Sequence, residues 1–234
     1  MIEGTLFNVF TVVVGSLLGL LVRSRLPQGM TALVFQSLGL FTLFLGVYLG
    51  FKTEGSWLVI VFSLVLGSIL GYSLRLEERI NAFGDYLKVK IKSDNAQFTE
   101  GLVTAFLLFC VGPMAIMGAI EDGLGRSWDL LFTKSIMDGF SSMALASGFG
   151  VGVLLSVVPM FLFQGSISLF AIYLEPFLSE SMINELTAVG GILLIGLAFN
   201  ILEIKKVGVL NMLPALLFVP VMIKLMEVLS GSLL

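Results

Sequence analysis

Histidine is absent from this sequence. That removes imidazole acid–base chemistry, Ser-His and Cys-His nucleophile activation, and haem ligation by His. Cysteine occurs once, at Cys110, so neither an intramolecular disulfide nor a thiolate metal cluster can form. Charge is scarce: Asp, Glu, Lys and Arg make up 12% of the residues, about half the share of a soluble domain. The net charge is −3 with no basic domain, which argues against nucleic acid. There is no Gly-x-x-x-x-Gly-Lys-Ser/Thr loop and no Gly-x-Gly-Asp motif, so neither an ATP motor nor an aspartyl intramembrane protease is expected. No enzyme chemistry, cofactor or metal is expected.

What fills the chain is apolar residue, 57% of 234 positions, with a mean hydropathy of +1.05. Such a chain cannot clothe itself in polar surface, and its expected partner is a lipid bilayer. The expected fold is all-α: a polytopic membrane helix bundle in a single domain, with no appended soluble part. Apolar stretches of spanning length run over 4–22, 30–50, 57–74, 98–120, 184–202 and 207–229. Glu3 before the first stretch, with no basic flank, speaks against a cleaved leader.

The segment 129–173 is too long for one crossing. Its middle carries Gly148, Gly150 and Gly152 at alternate positions, a pattern for a turn or an unwound joint. Split there, it gives spans 129–147 and 151–173 and a total of eight crossings. The alternative is one broken or re-entrant element. Eight crossings with both termini outside put Arg23, Arg25, Arg75, Arg79, Lys88, Lys90, Lys92, Lys205 and Lys206 inside, against Lys52 and Arg126 outside. This bias favours the split. Between the third and fourth spans, residues 75–92 place Leu76, Ile80, Phe83 and Leu87 at helical spacing among charges, which predicts an amphipathic helix on the cytoplasmic surface.

Two short internal similarities have inverted polarity. Glu3-Gly4 and Gly15 match the spacing of Glu100-Gly101 and Gly112, and Gln36-Ser37-Leu38-Gly39 resembles Thr187-Ala188-Val189-Gly190. Both pairings link helices that run in opposite directions, the pattern of inverted-repeat transporters. The joint 148–152 is expected to be non-helical, and Gly112 with Pro113 is expected to interrupt the fourth span.

An ionisable residue inside a span is costly and marks a candidate site. Lys134 and Asp138 are four apart and share a helix face, with Asp138 about 13 Å into the span at 1.5 Å per residue. Ser141 and Ser142 add hydroxyls. Gln164, Asn8, Gln36, Asn200 and Asn211 add amides within or at the ends of spans. These residues either bind a small solute or monovalent cation, or tie helices together. Glu100 and Glu185, near helix ends, are expected to reach solvent.

Segments starting Phe109-Cys-Val-Gly-Pro-Met, Thr133-Lys-Ser-Ile-Met-Asp-Gly, Phe163-Gln-Gly-Ser-Ile, Leu186-Thr-Ala-Val-Gly-Gly and Asn211-Met-Leu-Pro-Ala resemble the YdfK/YqgA family of bacterial inner-membrane proteins. The resemblance covers nearly the whole chain. It implies a polytopic membrane protein with transport activity, and no established substrate or catalytic residue. The function expected is a small secondary transporter coupled to H+ or Na+. Alternatives are a homo-oligomeric channel and a non-transporting structural or regulatory membrane protein.

Overall fold

The computed structural model describes residues 2–23, 28–90, 97–110, 113–175 and 179–231. The described residues are helical, with no strand. In chain order the helices are α1 (Glu3–Arg23), α2 (Gln28–Gly50), α3 (Trp57–Ser73), α4 (Leu76–Lys90), α5 (Phe98–Cys110), α6 (Pro113–Gly123), α7 (Asp129–Phe149), α8 (Val151–Leu155), α9 (Val157–Leu169), α10 (Ala171–Leu174), α11 (Glu180–Ile201), α12 (Val209–Met212) and α13 (Ala215–Gly231).

Proline and special backbone angles account for most of the breaks. The expected span 98–120 is two helices bent by 62°, and α6 opens on Pro113, where a missing N–H costs no helical bond. Gly112 lies outside the described residues. Pro159 sits in the first turn of α9 and cannot donate to the carbonyl four residues back, so the 151–169 span restarts at Ser156. Pro214 precedes α13 in the same way. Arg75, at φ 51°, turns the chain by 60° from α3 into α4.

The glycine joint is shorter than expected. Helix continues through Gly148 to Phe149 and resumes at Val151, so Gly148 and Gly152 are helical and Gly150 alone turns the chain. Gly150 has φ +75° and ψ −149°, a region that residues with a Cβ essentially avoid.

Among the described residues, four helices are long and apolar enough to cross a membrane, and six if each bent pair is one span. Eight crossings were expected. The difference has particular causes. The α7 helix has spanning length but carries Asp129, Lys134, Asp138 and four serines. The α3 helix, at 17 residues, reaches the length only together with the start of α4.

The α1 helix packs along α7, α2 along α11, and α3 along α13. The bent unit α5/α6 also lies beside α8/α9, and α5 with α11 joins the two groups. Large apolar side chains including Phe10, Phe44, Phe62, Phe140, Leu162 and Leu217 face outward. In lipid, apolar burial does not drive helices together, and close packing of small residues does. Accordingly α1 buries Gly4 and Gly19 towards α7, and a Cβ placed on Gly15 would overlap the Gly139 carbonyl oxygen and the Ser142 hydroxyl.

Candidate functional site

Three helices bring polar side chains to one buried point, beside the end of a fourth. Asp138 and Lys134 come from α7, Asn8 from α1 and Gln164 from α9; Phe109 and Cys110 end α5 beside them. Lys134 pairs with Asp138 Oδ2 from one turn away. Its ammonium also lies 5.7 Å from the centre of the Phe109 ring. Asn8 Nδ2 donates to Asp138 Oδ2 at 3.1 Å and to Gln164 Oε1 at 3.1 Å. Gln164 Nε2 in turn donates to the Phe109 carbonyl at 3.4 Å, in the last turn of α5, where carbonyls have no helical partner.

This network fixes the amide of Asn8. Both of its N–H groups are drawn to acceptors, so its oxygen must face away from the carboxylate. Asn8 has no exposed surface, and among the described residues no donor reaches its Oδ1. A buried acceptor without a donor is uncommon and costs roughly 1–3 kcal/mol. The cluster therefore holds an unmet acceptor on the side of Asn8 that faces away from the ion pair.

A polar ladder leads away from it towards one end of the bundle. One turn along, Thr5 and Ser168 bring their hydroxyls to 3.4 Å, and beyond them Gly4 N–H donates to Asp122 Oδ2 at 3.2 Å. All three side chains are buried. Thr5, Ser168 and Asp122 carry no sequence signal of their own. A helical projection of 151–169 does put Ser168 on the face of Gln164, which could have been seen.

The other residues read from the sequence lie elsewhere. Ser142 is buried and shares its hydroxyl between Val12 O (3.2 Å) and Gly139 O (2.8 Å), tying α7 to α1. Ser141 is half-buried on the same helix and Gln36 is exposed on α2. Asn200 folds the 202–207 turn by bonding both the N–H and the carbonyl of Val207. Asn211 accepts from Glu77 N–H and donates to Glu77 Oε2, docking α4. Gly148 gives its carbonyl to Arg23, and Gly152 lies against the Phe98 carbonyl. At that end of the bundle a polar cavity of about 380 Å³ opens between Glu77, Asn81, Thr99, Glu100, Asn200 and Lys206.

Glu185 does not reach solvent. It is fully buried in α11, and its carboxylate accepts from Thr53 Oγ1 at 2.8 and 2.9 Å, Glu54 N–H at 3.0 Å and Ser56 N–H at 3.4 Å. This clamps the turn that starts α3. Glu185→Ala is expected to cost about 1–3 kcal/mol, because water at the half-exposed turn replaces part of what is lost. Thermal melting in detergent and proteolysis at 51–56 would measure it, and an unchanged melt with an uncut turn would refute the clamp.

A helix bundle with an outward apolar face, small-residue seams and a buried charged cluster defines a membrane protein of the all-α class. The chain belongs to the family described as protein of unknown function (DUF554), whose pattern matches residues 3–224. It is 36% identical to the uncharacterized membrane protein YdfK of Bacillus subtilis (strain 168) over 227 residues, covering 94% of this chain and 95% of that one. It is 30% identical to the uncharacterized protein YqgA of Escherichia coli (strain K12) over 222 residues, covering 93% and 94%. No solved structure matches it significantly.

Proposed function

We propose that the chain is a small secondary carrier of a solute or monovalent cation, and not an enzyme, with Asp138 as the binding carboxylate. The observation that carries this reading is the donorless oxygen of Asn8, fully buried beside the Lys134–Asp138 pair at the broken end of α5. A purely structural ion pair has no use for an open acceptor. A binding site does, and a helix break at depth supplies unpaired carbonyls and N–H groups to it. The ladder through Ser168 and Thr5 to Asp122 supports a route between the cluster and one face.

The reading includes eight crossings in a bacterial inner membrane, N- and C-termini outside, and an inverted repeat. What supports the repeat is polarity. The α1 helix starts where Gly4 meets Asp122, and α5 starts at the other end, where Phe98 meets Gly152. Likewise the α2–α3 turn is held by Glu185, and the turn after α11 lies across the bundle beside Glu77. With Cys110→Ala as background, Lys52→Cys is expected to react with an impermeant thiol reagent from outside and Lys205→Cys only after permeabilisation. Labelling of position 205 in intact cells would overturn this topology.

Purified protein in liposomes is expected to show saturable, gradient-driven uptake of tracer sodium, rubidium or a small labelled solute, lost in Asp138→Asn. Unsaturable conductance would identify a channel. A cooperatively melting protein that moves none of a broad panel would return the cluster to a structural role.

A further inference from the structure

We infer that this site exchanges one alkali-metal cation for one proton, electroneutrally, with Lys134 as the group that gives up the proton. The inference rests on the carrier reading above and names its substrate and coupling.

The first argument is size. Asn8 bridges Asp138 and Gln164 at 3.1 Å on each side, and neither Asn8 nor Gln164 has exposed surface. A multi-atom solute cannot enter without parting α1, α7 and α9. A bare cation needs only oxygen ligands, and Asp138 Oδ1, which takes neither the Lys134 nor the Asn8 bond, is an oxygen of the hard type that such cations prefer.

The second argument is charge. As built, the cluster is neutral: one carboxylate and one ammonium, both buried. Among the described residues, the groups facing this pair from other helices are the Asn8 and Gln164 amides and the Cys110 thiol, none of which supplies a second negative charge. Asp122 of α6 faces Gly4 and Thr5 instead. A cation binding Asp138 would leave the site at net +1 in a medium where an uncompensated charge is expensive. Neutrality returns when the Lys134 ammonium loses its proton to the side from which the cation came. An amine on a flexible stem does this readily when its environment turns against the charge. The balance is closed: M+ plus Lys134–NH3+ gives bound M+, Lys134–NH2 and a released H+. On the opposite face M+ leaves and the amine takes a proton back. Both loaded forms are neutral, so the cycle moves no net charge.

Liposomes holding the purified protein and a trapped pH dye, at equal pH inside and out, provide the test. Adding sodium, lithium or potassium chloride outside is expected to make the lumen alkaline. The initial rate should be the same with the membrane potential clamped at zero or at a large negative value. Lys134→Arg is the sharpest variant, because guanidinium pairs with a carboxylate but is not deprotonated in proteins. It should keep cooperative melting and lose cation-driven alkalinisation to the level of protein-free liposomes. A structural lysine would be rescued by arginine, so full exchange in folded Lys134→Arg overturns the inference. If that variant fails to fold, the unsubstituted protein still decides: a rate that scales with clamped potential, or tracer cation uptake without proton movement, refutes electroneutral exchange while leaving a carrier. Absence of movement of all three cations also refutes it. Uptake of another solute by the same preparation would then preserve the carrier reading alone.

Discussion

Replacing Lys134 and Asp138 together, as Lys134→Met with Asp138→Leu, is expected to restore most of the stability that Asp138→Leu alone destroys, and none of the transport. The single change leaves a buried ammonium with no anion, a loss of about 3–5 kcal/mol. Two apolar side chains of similar volume remove both desolvation costs at once, and buried pairs replaced in this way often come out neutral. Recovery should be incomplete by about 1–3 kcal/mol, because one N–H of Asn8 still loses its acceptor. Chemical denaturation in detergent, run on the single and double variants side by side, measures the coupling. Equal losses in the two would mean that the charges do not stabilise each other. Wild-type transport in the double variant would remove the site from the mechanism.

The second large effect is expected at the α1–α7 seam. Gly15→Leu puts a side chain where the Gly139 carbonyl and the Ser142 hydroxyl already lie, and backbone cannot yield as a flexible side chain does. The helices must part, at a cost at or beyond the roughly 3 kcal/mol upper end for overpacking. Parting them also draws Asn8 away from Asp138, so transport should fall with stability. Gly50→Ala and Gly165→Ala are the matched controls, since nothing lies within 4 Å of a Cβ at either position. They should melt within about 0.5 kcal/mol of the parent, as substitutions away from special features do. A Gly15→Leu protein that melts like these controls would show that the seam is not close-packed.

The heart of the site was legible because its signals are local. Lys134 and Asp138 stand out as charges in an apolar stretch, and their four-residue spacing already pairs them. Asn8 and Gln164 stood out as amides within spans, but so did Gln36, Asn200 and Asn211. Polarity marks a residue that needs a partner without saying which one. Asn200 finds its partner seven residues away in a turn, and Asn211 finds Glu77 across the bundle. Glu185 was misread for the same reason. Its position near a helix end resembles a solvated one, and the turn that buries it arrives from 129 to 132 residues away. The break at Pro113 was legible in kind, because a missing N–H acts where it stands, whereas Pro220 lies inside α13 without ending it. The glycine joint was overestimated. Alternating glycines permit a turn at each position, and packing of Gly152 against Phe98 leaves only Gly150 to make it.

Cys110 turns the same geometry into a clock. It ends α5 fully buried, within electrostatic range of both Lys134 and Asp138, and it is the chain's only thiol. A water-soluble thiol reagent reaches it only when the helices around the cluster separate. Its modification rate at saturating reagent therefore equals the rate at which the site opens, read from the unsubstituted protein without any attached probe. A cation that holds the cluster shut slows that clock, and one that props it open runs it faster.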